Sequence, residues 1–173
     1  KYLMVDGTKS SDMIEALGWT DFDGTRGTAP TSLPTEGATS FDERYKAAYG
    51  ELPPLPFIKE AYDAVYVIAL AAEKAGSSDP KKIRDALRDV ANDPGEAVGA
   101  GTDGFKEAIN LLKDGKDINY EGVTGPLEFD DNGDPQVGAI EWWHVDGAKK
   151  ELVTDKKFQV DLGSKEVTEL PLD

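Results

Sequence analysis

The chain has 173 residues, of which 39% are hydrophobic and 9% aromatic, so it is long enough for a compact core and too apolar to be disordered. Its 34 acidic and 19 basic residues give a net charge of -15, which disfavours nucleic acid and anionic membranes as partners. The absence of cysteine excludes disulfides, thiol nucleophiles and thiolate metal sites.

The first apolar run, at residues 2–5, predicts a short buried strand that ends in a turn at Asp6-Gly7. Polar residues at positions 10–12 can cap a short helix, which Gly18 ends. Because the chain begins inside an apolar run and without methionine, we expect it to be a fragment of a longer protein. The longest apolar run is far shorter than the about 20 residues of a membrane span, and no signal peptide is recognisable.

The next segment predicts a weak strand and a helix. Residues 24–30 favour a strand that breaks at Pro30, and a loop follows. Ser40 and Glu43 form a capping box, which predicts the start of a helix that ends at Gly50.

The middle of the chain is predicted to be helical. Residues 61–75 give the strongest helix, and their apolar side chains cover nearly every face, as in a helix that is buried on several sides. Asp79-Pro80 predicts the N-cap and first turn of the following helix. After a predicted loop at 92–103, apolar residues at helical spacing mark a further amphipathic helix.

The last third of the chain changes to a strand pattern. Residues 123–129 and 137–145 predict two strands, joined by a polar turn at 131–134. The 137–145 strand has apolar residues on both faces, so we expect it to be covered on both sides and to run parallel to residues 2–5 in one sheet. With a further short strand at 151–153, the order is α/β with too few strands for five helices, so part of the sheet is expected to be missing.

Two loop motifs resemble ligand-binding sequences without their usual context. Residues 99–104 match the G-x-G-x-x-G pattern of dinucleotide sites, but residues 92–96 do not predict the strand that must precede the glycines, which favours a flexible loop. Residues 128–133 resemble the start of a calcium loop, but Ala139 stands where a bidentate glutamate is required. A polar hairpin turn is the favoured interpretation there.

The remaining candidates favour structural roles. His144 is the only histidine and lies between apolar strand residues, so a structural role is favoured and a zinc site is not indicated. Trp142 and Trp143 point to opposite faces of a strand and cannot form one platform for a sugar ring. With no nucleophile elbow and no distinct carboxylate pair, the sequence predicts no catalytic residue, no metal and no cofactor.

Asp6 is the candidate whose position suggests a contact with a ligand. It stands at the carboxyl end of the first predicted strand, where open α/β sheets bind ligands, and a carboxylate there can pair with an ammonium group. The alternative is an ordinary turn aspartate beside Gly7.

Four stretches, in their order and spacing, resemble the C-terminal half of the type I periplasmic binding proteins of the Leu/Ile/Val-binding family, which serve ABC transporters. The stretches are Tyr2-Leu3-Met4-Val5-Asp6-Gly7, Gly24 to Pro30 followed by Phe41-x-x-x-Tyr45-x-x-x-Tyr49-Gly50, Pro56-Phe57 with Ala61-Tyr62-Asp63-Ala64-Val65, and Gly122-x-x-Gly125-Pro126-Leu127-x-Phe129-Asp130-x-x-Gly133-Asp134.

The resemblance implies an α/β fold of the periplasmic-binding-protein type I class, a two-lobed flytrap of which this chain is a C-terminal fragment with parts of both lobes. Residues 1–23 would belong to the C-terminal lobe. Residues 24–134 would belong to the N-terminal lobe and include two hinge crossings, near 24–34 and 129–135. Residues 135–173 would return to the C-terminal lobe and form the tail.

The resemblance also implies three ligand-binding residues. Asp6 matches the acidic residue that holds the ammonium of an amino-acid ligand, and Phe57 falls where an aromatic residue packs on the ligand side chain. Tyr62 and the neighbouring Asp63 lie in the adjacent helix. The groups that hold the ligand carboxylate in this family would lie upstream of this chain.

The function that the resemblance implies is that of an extracytoplasmic solute-binding protein, periplasmic or a cell-surface lipoprotein. It would deliver an amino acid, branched-chain or otherwise apolar, to the membrane permease of an ABC transporter, without enzyme activity. The alternatives are a ligand-sensing receptor domain, a binder of amides, urea or aromatic acids, and a carboxylate-based hydrolase. Alone, the fragment is expected to oligomerise, because the 61–75 helix has more apolar surface than the fragment can cover.

Overall fold

The computed structural model describes residues 2–53 and 55–172, and this part of the chain is an α/β structure that divides into two compact units. The first unit takes in the chain up to Thr31, residues 53–57, and the chain from Gly138 onward. The second unit takes in Ser32–Leu52 and Ile58–Val137.

Among the described residues, the strands are β1 Leu3–Met4, β2 Arg26–Thr31, β3 Glu96–Gly99, β4 Ile118–Gly122, β5 Gly125–Pro126, β6 Val137–Asp146, β7 Glu151–Asp161 and β8 Glu166–Leu170. The helices are α1 Ser11–Leu17, α2 Glu36–Tyr49, α3 Ile58–Ala75, α4 Pro80–Ala91 and α5 Thr102–Lys113, with a single 3-10 turn at Asp6–Thr8.

The first unit contains a sheet in the order β1-β2-β6-β7-β8. Both ends of the described chain therefore contribute to one sheet, which confirms that part of the prediction. The predicted parallel arrangement is wrong, because β2 pairs parallel with β1 but antiparallel with β6. The predicted break at Pro30 is also wrong, since β2 continues to Thr31 and Pro30 lies opposite Ile140 of β6.

The core of the first unit is built around Trp143 of β6. The buried residues of this core are Met4, Ile14, Trp19, Ala29, Trp143 and Val145. Trp143 packs across β2 at Gly27, where an added Cβ would lie 2.5 Å from Cζ2 of the indole, so only glycine leaves room for the ring.

Strand β6 is covered on one face, not on both as predicted. Glu141, Trp143 and Val145 are buried, whereas Ile140 and Trp142, which alternate with them, are 40% and 51% exposed. Within the described chain, the apolar residues on this second face point outward. Apolar residues on both faces of the strand therefore did not show that both faces are covered. The weakly patterned tail after it forms β7 and β8, and β7 extends well beyond the predicted 151–153.

The second unit places helices α3, α4 and α5 around a sheet in the order β3-β4-β5. Its core combines apolar residues of these helices with side chains of β3 and β4. The buried members are Val67, Leu70, Ala71, Ala86, Val90, Ala91, Val98, Ala108, Leu111, Ile118 and Tyr120.

Helix α3 confirms the strongest predicted helix, but only one of its faces is covered within the described chain. Val67, Leu70 and Ala71 are buried in the core. On the opposite side, Val65 is 69% exposed and Ile68 is 50% exposed. The helix therefore has a second apolar face that nothing in the described chain covers.

The helix starts were predicted with mixed success. Asp79 caps α4 as predicted, by accepting hydrogen bonds from the first turn. The predicted capping box at Ser40 and Glu43 is wrong, because both lie inside α2. The N-cap of α2 is Thr35, whose side chain accepts from the amide of Ala38 at 3.0 Å.

The predicted loop at 92–103 contains strand β3, which pairs parallel with β4. Only Val98 of this strand is buried. A strand with a single buried side chain has no alternation of apolar and polar residues by which its sequence could identify it. Backbone pairing with β4 determines its conformation. The result is a β3–α5–β4 unit in which both strands end on the same side of the small sheet.

Candidate functional site

Asp6 opens the 3-10 turn that follows β1, and its side chain is half-buried. The turn is well hydrogen-bonded: the hydroxyl of Thr8 donates to the carbonyl of Val5 at 2.6 Å, and the amide of Lys9 donates to the carbonyl of Asp6 at 2.9 Å. Among the described residues, the Asp6 carboxylate has no hydrogen-bond or ion-pair partner. The turn therefore holds the backbone at Asp6, while the carboxylate has no partner among the described residues.

The same turn is tied to the sheet by a buried ion pair. Lys9, three residues after Asp6, places its ammonium against the carboxylate of Glu141 on β6. The Glu141 side chain is 7% exposed, and its other oxygen accepts from the hydroxyl of Thr154 on β7 at 2.7 Å. This tether positions the segment that carries Asp6.

Phe57 ends the turn that precedes α3 and adopts a left-handed backbone with φ of 70°. A bulky side chain rarely adopts this conformation, which costs on the order of 1–3 kcal/mol; Lys150 and Lys165 also adopt it in turns. The side chain is 40% exposed. Phe57 belongs to the same compact unit as Asp6.

Tyr62 belongs to the second unit, where it lines a cleft of about 450 Å³ between α2 and α3, named here the aromatic cleft. Its lining residues are Phe41, Arg44, Tyr45, Tyr49, Ile58, Ala61 and Tyr62. The sequence analysis did not identify this cleft. The available signal was the aromatic spacing of four residues along α2, from Phe41 through Tyr45 to Tyr49, with an arginine next to it.

Asp63 has a structural role in the structure. It is buried, and its two carboxylate oxygens accept from the Tyr120 hydroxyl at 2.8 Å, the amides of Val123 and Thr124 at 2.9 and 2.8 Å, and the Thr124 hydroxyl at 2.6 Å. Because these four donors occupy both oxygens, Asp63 is not available to a ligand.

The glycine motif, at residues 99–104, begins at the end of strand β3. The motif is therefore preceded by a strand, which the sequence did not predict. A Cβ on Gly104 would lie 1.9 Å from the carbonyl oxygen of Gly99, which shows how closely α5 packs on that strand. The adjoining cleft, of about 420 Å³, is also lined by Glu36 and Glu121. A phosphate would face these two carboxylates, so the cleft does not suit a nucleotide despite its geometry.

Burial raises the pKa of the Glu121 carboxyl, and the nearby carboxylates of Glu128 and Asp93 raise it further.

The acidic motif at residues 130–134 is a turn held by the side chain of Asp130, which accepts from the amides of Asn132 and Asp134 at 2.8 and 2.9 Å. These bonds lower the pKa of Asp130. They support the interpretation as a polar turn.

His144 lies on the half-exposed face of β6, where its Nδ1 is 2.8 Å from a carboxylate oxygen of Asp155 on β7. The histidine thus links two neighbouring strands, in keeping with the structural role that the sequence favoured.

Within residues 2–53 and 55–172, no group of three or more histidine or acidic side chains is arranged to hold a metal ion. None of the helices described there combines the length and hydropathy that a membrane span requires.

Comparison with known sequences identifies a family over most of the chain. The sequence model of the receptor family ligand binding region matches residues 2–148. The chain is 30% identical over 113 residues to the chemotactic signal transduction system substrate-binding protein BasB of Halobacterium salinarum, a match that covers 65% of this chain and 27% of BasB. It is 33% identical over 98 residues to the leucine-, isoleucine-, valine-, threonine-, and alanine-binding protein of Pseudomonas aeruginosa, covering 56% of this chain and 19% of that protein.

Solved structures of the same kind share the fold. The leucine binding protein LivK of Thermotoga maritima superimposes with a TM-score of 0.58 at 24% identity, over 90% of this chain and 36% of LivK. LivJ of Streptococcus pneumoniae, a branched-chain amino acid transporter substrate binding protein solved with isoleucine, gives a TM-score of 0.56 at 18% identity, over 97% of this chain and 37% of LivJ. The chain therefore spans well under half the length of these relatives, and the predicted fold class is confirmed.

Proposed function

Because this chain belongs to the receptor family of ligand binding regions, as a partial chain of a type I periplasmic binding protein of the Leu/Ile/Val-binding kind, we propose that it binds a free amino acid with an apolar side chain. The observation that carries this proposal is the carboxylate of Asp6, which stands without a partner among the described residues on a turn fixed to the sheet. The family is one of ligand-binding regions, and we propose no enzyme activity.

The proposed chemistry is recognition of an ammonium by a positioned carboxylate. Asp6 accepts hydrogen bonds from the ligand ammonium, a charge-assisted contact that a neutral amide cannot reproduce. Phe57 packs on the ligand side chain, and its left-handed backbone orients the ring for that contact. Tyr62, a third predicted contact of the same ligand, and the assignment of residues 1–23, 24–134 and 135–173 to two lobes stay predictions.

Transport and sensing are both functions of relatives with this fold. We propose that the parent protein is extracytoplasmic and presents its ligand to the permease of an ABC transporter. The similarity to LivJ, which is a transporter substrate binding protein, supports a role in transport. The second candidate is a sensor, which is favoured by the similarity to a chemotactic signal transduction protein. The two differ in the partner that the loaded protein meets.

Calorimetric titration of the intact parent protein with amino acids and their uncharged amides tests the ligand assignment. Asp6→Asn keeps the shape of the side chain and removes its charge, so amino-acid affinity should fall by about 10- to 100-fold, the usual range for losing a charged hydrogen bond. The matched control is Asp12→Asn, an exposed aspartate in the first turn of α1, which should leave affinity unchanged.

Phe57→Ala should change the order of preference among apolar side chains more than the affinity for glycine, which has no side chain to contact. An Asp6→Asn variant with unchanged amino-acid affinity would show that the ammonium assignment is wrong. If only amides or aromatic acids bind, the family assignment stands and the proposed ligand class is wrong.

A further inference from the structure

The aromatic cleft between α2 and α3 has walls made of tightly arranged rings. Phe41 is central: its ring centroid lies 5.1 Å from that of Tyr62 on α3 and 5.8 Å from that of Tyr45 on its own helix. Tyr45 in turn lies 4.9 Å from Tyr49, whose side chain is 75% exposed. These rings offer faces and edges against which a planar apolar group can pack.

One cation stands at this cleft without a carboxylate partner. The Nε of Arg44 donates to the carbonyl of Ser40 at 3.2 Å, which holds the guanidinium near the helix, and its Cζ lies 6.0 Å from the centroid of the Tyr62 ring. Among the described residues, no acidic side chain pairs with Arg44, and its two Nη groups make no hydrogen bond. A guanidinium with both Nη groups free is suited to bind a carboxylate in bidentate fashion.

The cleft is held open by contacts outside its lining. Lys59 of α3 pairs with Asp42 of α2 at 2.8 Å, which ties the two helices together beside the cleft. Tyr66, one turn after Tyr62, has its ring centroid 5.1 Å from that of Tyr62 in a tilted arrangement, and its hydroxyl donates to the carbonyl of Gly101. A cleft that is largely preformed loses little binding energy to ordering its own side chains.

From these observations we infer that the aromatic cleft is a second ligand site, which binds a small aromatic carboxylate with its ring against Tyr45 and Tyr49 of α2 and its carboxylate on Arg44. The volume of about 450 Å³ lies within the usual range for small-molecule sites, about 300–1,000 Å³. A cationic ligand, the usual guest of an aromatic box, is disfavoured because Arg44 already lies over the Tyr62 ring.

This site shares Tyr62 with the predicted contacts of the amino-acid ligand, but its charged group is Arg44 and not Asp6. Its lining residues all belong to the second unit, whereas Asp6 and Phe57 belong to the first. The inferred site depends on Arg44 and not on the Asp6 carboxylate, so the two proposals can fail separately.

The test is a fluorine NMR titration of the intact parent protein with 4-fluorobenzoate, and with 4-fluorobenzamide as the uncharged probe of the same shape. We expect 4-fluorobenzoate to bind at least tenfold more tightly than the amide, because only the acid can pair with Arg44. Arg44→Gln should weaken binding of the acid by about 10- to 100-fold and leave binding of the amide unchanged.

Three variants complete the test. Lys46→Gln removes an exposed positive charge from the same helix and should leave binding unchanged. Tyr49→Ser removes one exposed ring and should weaken both probes by about 2- to 10-fold. Asp6→Asn should not change binding of 4-fluorobenzoate. The inference is overturned if the acid does not bind, if acid and amide bind alike, if Arg44→Gln has no effect, or if Asp6→Asn abolishes binding of the acid.

Discussion

At the scale of single residues, Asp63 shows how a buried charge can be stabilised by hydrogen bonds in place of a cation. Its carboxylate accepts four hydrogen bonds, three of them from Val123 and Thr124 in the β4–β5 turn. The fourth comes from Tyr120, and burial together with the negative charge of Asp63 raises the pKa of that phenol well above its ordinary value. Tyr120 therefore stays protonated and donates at any physiological pH.

Asp63→Asn tests this role. An amide group has only one acceptor oxygen, so its NH₂ group must face one backbone amide and one hydroxyl of the four donors. The hydroxyl can rotate and accept from the NH₂ group, but the backbone amide is left unsatisfied. An unsatisfied buried donor costs about 1–3 kcal/mol, so we expect the free energy of unfolding to fall by about that amount in urea titrations of the intact protein. Asp12→Asn, the exposed control, should change it by less than about 0.5 kcal/mol. Equal stability of the two variants would contradict the role assigned to Asp63.

At the scale of elements, the sequence predicted those features that local chemistry determines. Helix α3 and the Asp79 cap of α4 follow from residue spacing and capping chemistry. Strand β3 could not be predicted, because it has a single buried side chain and depends on pairing with β4, which is distant in the sequence. The start of α2 was missed for a related reason: the Thr35 hydroxyl also donates to the carbonyl of Val123, so tertiary contact selects this cap over the local motif at Ser40.

The candidate site divides in the same way. Asp6 could be named from its place after the first predicted strand, and Phe57 from the resemblance to the family. The structure adds that the Asp6 carboxylate has no partner among the described residues and that Phe57 has a left-handed backbone. Arg44 was missed, since its importance depends on Tyr62, which is brought to it only by the packing of α2 on α3. The interpretation of Asp63 required knowledge of a turn that lies about sixty residues further on.

The tether between the Asp6 turn and the sheet gives a prediction at this scale. Lys9→Met leaves the buried carboxylate of Glu141 without its cation, which typically costs about 3–5 kcal/mol of stability. Lys9→Met with Glu141→Gln removes both charges, and we expect the pair of substitutions to recover a good part of that loss. The measurement is a double-mutant cycle by urea unfolding. Additive effects of the two substitutions would show that the ion pair does not hold the turn.

At the scale of the whole molecule, the chain has two compact units and an uncovered apolar surface on the outer face of α3. That face includes Val65 and Ile68, which are 69% and 50% exposed and lie one turn apart, so they form an apolar stripe that association would bury. The net charge of -15 opposes this association through mutual repulsion, which salt screens. The balance between the two effects determines the oligomeric state of the isolated chain.

We therefore predict that the 173-residue chain, produced alone, associates through the outer face of α3 and that added salt strengthens the association. Screening weakens the repulsion between copies while the apolar contact is retained, so sedimentation equilibrium should show a dissociation constant that decreases as sodium chloride is raised. Val65→Ser with Ile68→Ser should shift the chain to monomer, because both side chains are exposed and their loss removes apolar surface without disturbing the core. Val167→Ser, which removes an equally exposed valine from β8, is the matched control and should leave the association unchanged. A chain that stays monomeric at high salt, or that associates equally well in the α3 variant, would show that this face is not the contact.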